Sequence, residues 1–200
     1  MWFRIATADR DHSKHLMSYL KSGIDIYSSD HVFNSFKIGF YGHRAKRVEA
    51  KKKYKIGNFS IIPFDLKHDV PNFGYVIHHK EIGNLLFITD SYYCPYRFNK
   101  INTMLVECNY SQAILSQSVE AGKVPAFVKN RILSSHMELE TTKKFLTSSD
   151  LANVQNIVLI HLSEGNANGN QFKKEVQELT GITTYIAVPN LEIDLIKDVF

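Results

Sequence analysis

Cysteine is scarce in this sequence: Cys94 and Cys108 are the only two among 200 residues. Two thiols cannot build a disulfide scaffold, so a reducing, cytoplasmic setting is the expectation. No stretch approaches the roughly 20 consecutive apolar residues of a membrane span, and no charged-then-apolar leader opens the chain. Neither a membrane anchor nor secretion is therefore expected. Proline and glycine are modest at 5 and 10, and no Pro/Gly/Ser-rich linker, internal repeat or low-complexity block divides the chain. One domain spanning residues 1–200 is the reading. G-x-x-x-x-G-K-[ST] and G-x-G-x-x-G patterns are also missing, which leaves a nucleotide-cradling loop without support. The Gly/Asn-rich stretch 165–169 reads instead as a turn that caps the helix after it.

What is present is an apolar, aromatic chain: 44% hydrophobic, with 13 Phe and 10 Tyr. That is too much burial capacity for a disordered protein. The net charge of +4 hides an asymmetry, because residues 1–100 carry 16 Lys/Arg against 9 Asp/Glu, and residues 101–200 carry 8 against 11. The excess concentrates in Arg44, Lys46, Arg47, Lys51, Lys52, Lys53 and Lys55, opposed there only by Glu49. Such a run can grip the phosphates of a nucleic acid. A bare run of this kind reads first as a solvated face.

Hydrophobic periodicity predicts an alternation of elements. A helix is expected over 13–21, stopped at Gly23, followed by a strand at 24–28. Strands are expected at 58–66 and 75–79, and, after a turn at 81–84, at 85–89. Another strand falls at 104–107, and a helix at 112–120 ends at Gly122. The last part is the clearest. A helix at 139–146 leads to the apolar strand 157–160, then a helix at 172–179 closed by Gly181, and a strand at 184–188. Strand, helix, strand in that order implies a crossover and a sheet with helices packed on it. The fold class is α/β, or a layered α+β variant.

Nine histidines make their neighbours more informative than their number. Four places set a potential metal ligand in a loop or just past a strand. These are Asp11-His12 before the first helix, His68-Asp69, Asp90 after the apolar strand Leu85-Leu-Phe-Ile-Thr, and His161 after Ile157-Val-Leu-Ile. Rigid sheets present ligands from the loops at their strand ends. Imidazole with carboxylate suits Zn²⁺, Mn²⁺ or Fe, and a carboxylate can bridge two ions. Singly, each of these residues reads as a cap or a hydrogen-bonded core group; four together point to a metal site.

In combination these segments resemble a known family. Asp11-His12-Ser-Lys-His, Phe64-Asp-Leu-Lys-His68-Asp-Val-Pro-Asn-Phe-Gly-Tyr-Val-Ile, Leu86-Phe-Ile-Thr-Asp90, Ser134-Ser-His-Met-Glu-Leu-Glu and Val158-Leu-Ile-His161-Leu-Ser-Glu-Gly-Asn-Ala-Asn look like a metallo-β-lactamase-fold hydrolase. The nearest branch is the single-domain, nuclease-like one common in Gram-positive bacteria and their phages. The resemblance implies a layered αββα fold and one or two metal ions. It also implies Asp11, His12 and His161 at the second metal, Asp90 bridging, and His68 at the first. Asp11 and His136 would be catalytic, with His136 steadying the transition state or leaving group, and Glu138 nearby. The other reading of His136, a helix N-terminal residue after Ser134-Ser135, stands level with that one.

The resemblance also marks departures. The family's two leading histidines fall here on Thr7 and Asp9. Thr7 is a poor ligand, and Asp9 serves a different metal preference. The family's strands ahead of this loop have little room before it, so the N-terminal sheet is expected to be incomplete and covered by a second copy or a partner chain. The implied function is metal-dependent hydrolysis of a phosphodiester in nucleic acid or a nucleotide, with Arg44 to Lys55 holding the anion. Its rival is a degenerate binding or assembly module with one metal site or none. Among the remaining candidates, Tyr92, Tyr93, Tyr96 and Phe98 could stack bases but read first as core. His78 and His79 should point to opposite faces of their strand. Cys94 and Cys108, with no C-x-x-C partner, read as inert.

Overall fold

The computed structural model describes residues 15–195 and the backbone of Phe3–Ile5. Two sheets form. The smaller holds parallel strands in the order β1 (Phe3–Ile5), β2 (Asp25–Ser28), β3 (Ala45–Arg47). The larger runs β10-β9-β8-β7-β6-β5-β4, with β4 (Tyr54–Ile56), β5 (Phe59–Leu66), β6 (Asn72–His79), β7 (Gly83–Ile88), β8 (Thr103–Glu107), β9 (Asn156–Ile160) and β10 (Thr183–Ile186).

Loop length decides the sense of pairing in the larger sheet. Short turns join β4 to β7, and those strands pair antiparallel. The β4–β5 hairpin closes through Gly57 at φ 59°, a conformation glycine adopts without a Cβ penalty. From β7 onward the connections are long enough to cross over, and β7, β8, β9 and β10 pair in parallel. Helices α3 (Gln112–Glu120), α4 (Ala126–Ser135) and α5 (Leu139–Ser148) occupy the β8–β9 crossover, and α6 (Gly169–Thr180) the β9–β10 crossover.

Side-chain alternation then builds the layers. On one face of the larger sheet Leu86, Ile88, Met104, Val106, Ile157 and Leu159 are buried against Phe145 and Leu146 of α5 and Phe172 and Val176 of α6. On the other face Ile61 and Tyr75 pack with Phe87, Ile77 and Tyr27 of the smaller sheet. Next to Tyr27, Ile26 turns the opposite way, into a cluster with Leu16 and Leu20 of α1 (Leu16–Lys21) and Val32 and Phe33 of α2 (Asp30–Asn34). Helix, sheet, sheet, helix is the resulting order, an α/β layered fold. On the same inner face, Leu85, Leu105, Val158 and Ile160 line an apolar cavity of about 330 Å³ with residues of the segment after β10.

The elements expected from periodicity are present, with β6 and α6 each beginning three residues earlier than 75 and 172, and α1 starting at Leu16; residues 13 and 14 of that expected helix lie outside the described residues. Helix α4 was not anticipated: Phe127 and Leu133 on it are exposed, and Ser135 is its single fully buried residue, so it carries no amphipathic signature. Asn168 caps α6 by accepting from Gln171 N, and Gly181 at φ 70° closes it, as the Gly/Asn stretch implied. His78 is exposed while His79 packs its ring 4.7 Å from that of Phe59.

Candidate metal centre

Three adjacent parallel strands end at one place. Asp90 follows β7 by two residues, Glu107 is the last residue of β8, and His161 is the first after β9. The register aligns them, with Ile88 beside Val106 and Glu107 beside Ile160. Asp90 and His161 have left-handed backbones, φ 52° and 58°. Non-glycine residues are uncommon there, and such positions gather at functional sites. His136 arrives from the other side, as the residue that ends α4.

Among the described residues, one group of donors lies within 4.8 Å of one another: Asp90, His136 and His161. Asp90 and Glu107 are fully buried; the two imidazoles keep some solvent contact. Glu107 supports both rings through a single oxygen. His136 Nδ1 donates to Oε1 at 2.6 Å and His161 Nδ1 at 3.0 Å, while Oε2 accepts from Ser91 N at 2.8 Å. A carboxylate only accepts, so both Nδ1 atoms donate to it. His161 Nε2 lies 3.6 Å from Asp90 Oδ1. Asn109 Nδ2 donates to the His161 carbonyl at 2.6 Å, and Asn72 Nδ2 donates to the carbonyls of Thr89 and Asp90, both at 2.9 Å. Backbone and rings are thus fixed together. His161 Nε2 beside the buried Asp90 carboxylate, with Glu107 on Nδ1 and His136 next to them, is chemistry that fits a transition-metal ion.

The other expected ligands fall differently. His68 is close but outside this group: its ring centroid is 6.1 Å from that of His136. Its Nδ1 donates to the Ser135 carbonyl at 3.0 Å, and Nε2 lies 3.1 Å from Asp69 Oδ1. Asp9, Asp11 and His12, with Thr7, lie outside the described residues. The carboxylate beside His136 is Glu107, not the expected Glu138. Glu138 instead caps α5, accepting from the backbone N–H groups of Glu140 and Thr141, and His136 ends a helix rather than starting one.

Sequence reading missed Glu107, Asn109 and Ser91. Glu107 did carry a signal, as an acid closing the apolar strand Met104-Leu-Val. Of the basic run, Arg44 donates to the Gly23 carbonyl at 2.6 Å and pairs with Asp25 at 3.2 Å. Lys46 donates to the His43 carbonyl, Arg47 pairs with Asp30, and Lys52 with Glu49. Lys51 and Lys53 are exposed at the β3–β4 turn. Cys94 and Cys108 are buried, and burial pushes their thiols up to about 11 and about 12, which makes both poor nucleophiles.

Comparison of the whole fold with solved structures gives the class. The chain is similar to YhfI of Bacillus subtilis, a metallo-β-lactamase fold protein, with TM-score 0.68 and 15% identity over 94% of this chain and 75% of that one. It is similar to a diphosphatase of the PhnP family (TM-score 0.62, 11% identity, 94% and 68% covered). Human tRNase Z, short form, gives TM-score 0.58 and 14% identity over 96% and 78%. No protein-family model and no curated protein matches the sequence. The chain therefore has the metallo-β-lactamase fold, with buried Asp90 and Glu107 and the His161 imidazole at the ends of β7, β8 and β9.

Proposed function

We propose that this protein is a metal-dependent hydrolase acting on phosphodiester bonds of nucleic acid or nucleotides. The observation that carries the reading is the Asp90–His136–His161 group with Glu107 bonded to both rings. Fold neighbours include one protein named a tRNase and another named a diphosphatase, which supports chemistry at phosphorus. The sequence resemblance to a nuclease-like phage and Gram-positive branch points the same way.

Asp90 and His161 would hold the ion, with His68, Asp9, Asp11 and His12 as the further ligands the resemblance implies. A bound Zn²⁺, Mn²⁺ or Fe ion would supply Lewis acidity and lower the pKa of a coordinated water toward neutrality. Glu107 fixes the ring orientation and tautomer of His161 and His136. His136, held through Nδ1 by that carboxylate and reached by solvent, would give the leaving oxygen a proton from Nε2 in its doubly protonated form. Arg44, Lys46, Arg47, Lys51, Lys52 and Lys53 would add long-range attraction for a polyanion, Lys51 and Lys53 most directly because the other four already have partners in the chain.

Metal content and turnover of bis(p-nitrophenyl) phosphate test the reading together. Protein purified without chelator should carry one or two ions and turn the diester over. His161→Ala should lose metal and activity, whereas His136→Ala should lose activity and keep its metal. Metal-loaded protein without turnover would overturn the hydrolase reading. It would favour the degenerate binding module that Thr7 and Asp9 suggest.

A further inference from the structure

The loop after β7 contains four aromatic residues that it treats in two ways. Tyr96 and Phe98 turn inward and lie 5.6 and 5.0 Å from the Phe64 ring. They close the core, as expected of them. Tyr92 and Tyr93 were expected to do the same, yet they are 40% and 51% exposed. Looseness does not explain it, because their backbone is clamped. Ser91 N donates to Glu107, Ser91 Oγ and Tyr92 N both donate to the Lys67 carbonyl at 3.0 Å, and Tyr93 pairs with Lys67 in an antiparallel bridge. One side of the clamp is the carboxylate that bonds both site imidazoles; the other is the residue before His68.

The bridge and the Tyr92 N–H bond to the Lys67 carbonyl fix this segment against the residue that precedes His68. The His68 ring stands 6.1 Å from His136. Tyr92 is thus a half-exposed ring two residues from Asp90 and next to Ser91, whose N–H bonds Glu107. A rigid, half-exposed tyrosine loses little conformational freedom when a flat group stacks on it.

We propose that Tyr92 is a stacking platform beside the metal centre, and that the substrate carries a nucleobase next to its scissile phosphate. This rests on the phosphodiesterase reading and narrows it to nucleotide substrates. Tyr93, one residue further from Asp90 and paired with Lys67, has no part in it.

The test compares 5′-AMP with ribose 5-phosphate, which differ by the base alone, in calorimetric titrations of the metal-loaded protein. Base stacking of ordinary strength makes 5′-AMP the tighter ligand by about tenfold. Tyr92→Ala should bring that ratio close to one, Tyr92→Phe should keep it, and Tyr93→Ala should leave it unchanged. Melting temperatures of the variants should match the parent, because both rings are exposed. Equal binding of the two ligands by the parent, no binding of either, or a ratio insensitive to Tyr92→Ala would each overturn the proposal. Turnover of bis(p-nitrophenyl) phosphate by the same preparation separates the two failures. If turnover persists, only the stacking platform falls; if it is absent with metal bound, the phosphodiesterase reading falls with it.

Discussion

Glu107 is the residue on which the site's geometry converges. Fully buried at the end of β8, it accepts from His136, His161 and the Ser91 amide, and these bonds offset the cost of enclosing a carboxylate. Its neighbour in function, Asp90, has a left-handed backbone after β7. Glu107→Gln keeps the size and one acceptor oxygen but replaces the other oxygen with a donor, so it cannot serve all three partners. The expected result is a folded protein with metal affinity or turnover reduced about 10–100-fold, read by competition with a chelating dye alongside the melting temperature. Full metal affinity and full turnover in this variant would show that the carboxylate does not set the rings.

Among the elements, β5 and β6 form the frame that leads to His68 and, through β7, to Asp90. Gly74 on β6 sits opposite Phe64 on β5 in the register. A Cβ at Gly74 would overlap the Phe64 ring and crowd the Phe87 carbonyl. Gly74→Ala should therefore destabilise the protein by about 1–3 kcal/mol through overpacking, measured as a lowered denaturation midpoint. Pairing it with Phe64→Leu, which frees the space, should recover part of the loss, because residues in contact are not additive. Equal losses in the single and double variants would rule out that collision. At this scale periodicity was a sound guide where an element buries one face. It missed α4, whose apolar residues Phe127 and Leu133 remain exposed. It placed the start of β6 late, because Asn72 sits inside that strand with its side chain bonded to the Thr89 and Asp90 carbonyls.

For the whole molecule, the four layers bury groups whose charged forms the interior rejects. Burial raises the Cys94 and Cys108 thiols to about 11 and about 12, and the Tyr110 hydroxyl, also raised by nearby acids, to about 12. In each case the neutral form is favoured in the folded state. The stabilisation is therefore complete below the ordinary thiol pKa of about 9 and is lost as pH rises from there toward 12. Melting temperatures should hold up to about pH 9 and fall above it, less steeply in Cys94→Ala/Cys108→Ala. At pH 8 neither thiol should react with Ellman's reagent until the protein is unfolded; rapid labelling of the native protein would refute this account. The sequence by itself determined the α/β class and placed ligand-type residues at the ends of apolar strands. Those properties follow from local periodicity and from residue chemistry. Only the tertiary structure decided that Glu107 stands behind His136 and His161, that Glu138 is a helix cap, and that Tyr92 and Tyr93 face solvent. Register between β7, β8 and β9, and the bridge from Lys67 to Tyr93, join residues far apart in the chain. Spacing along one strand carries no information about which strand lies beside it.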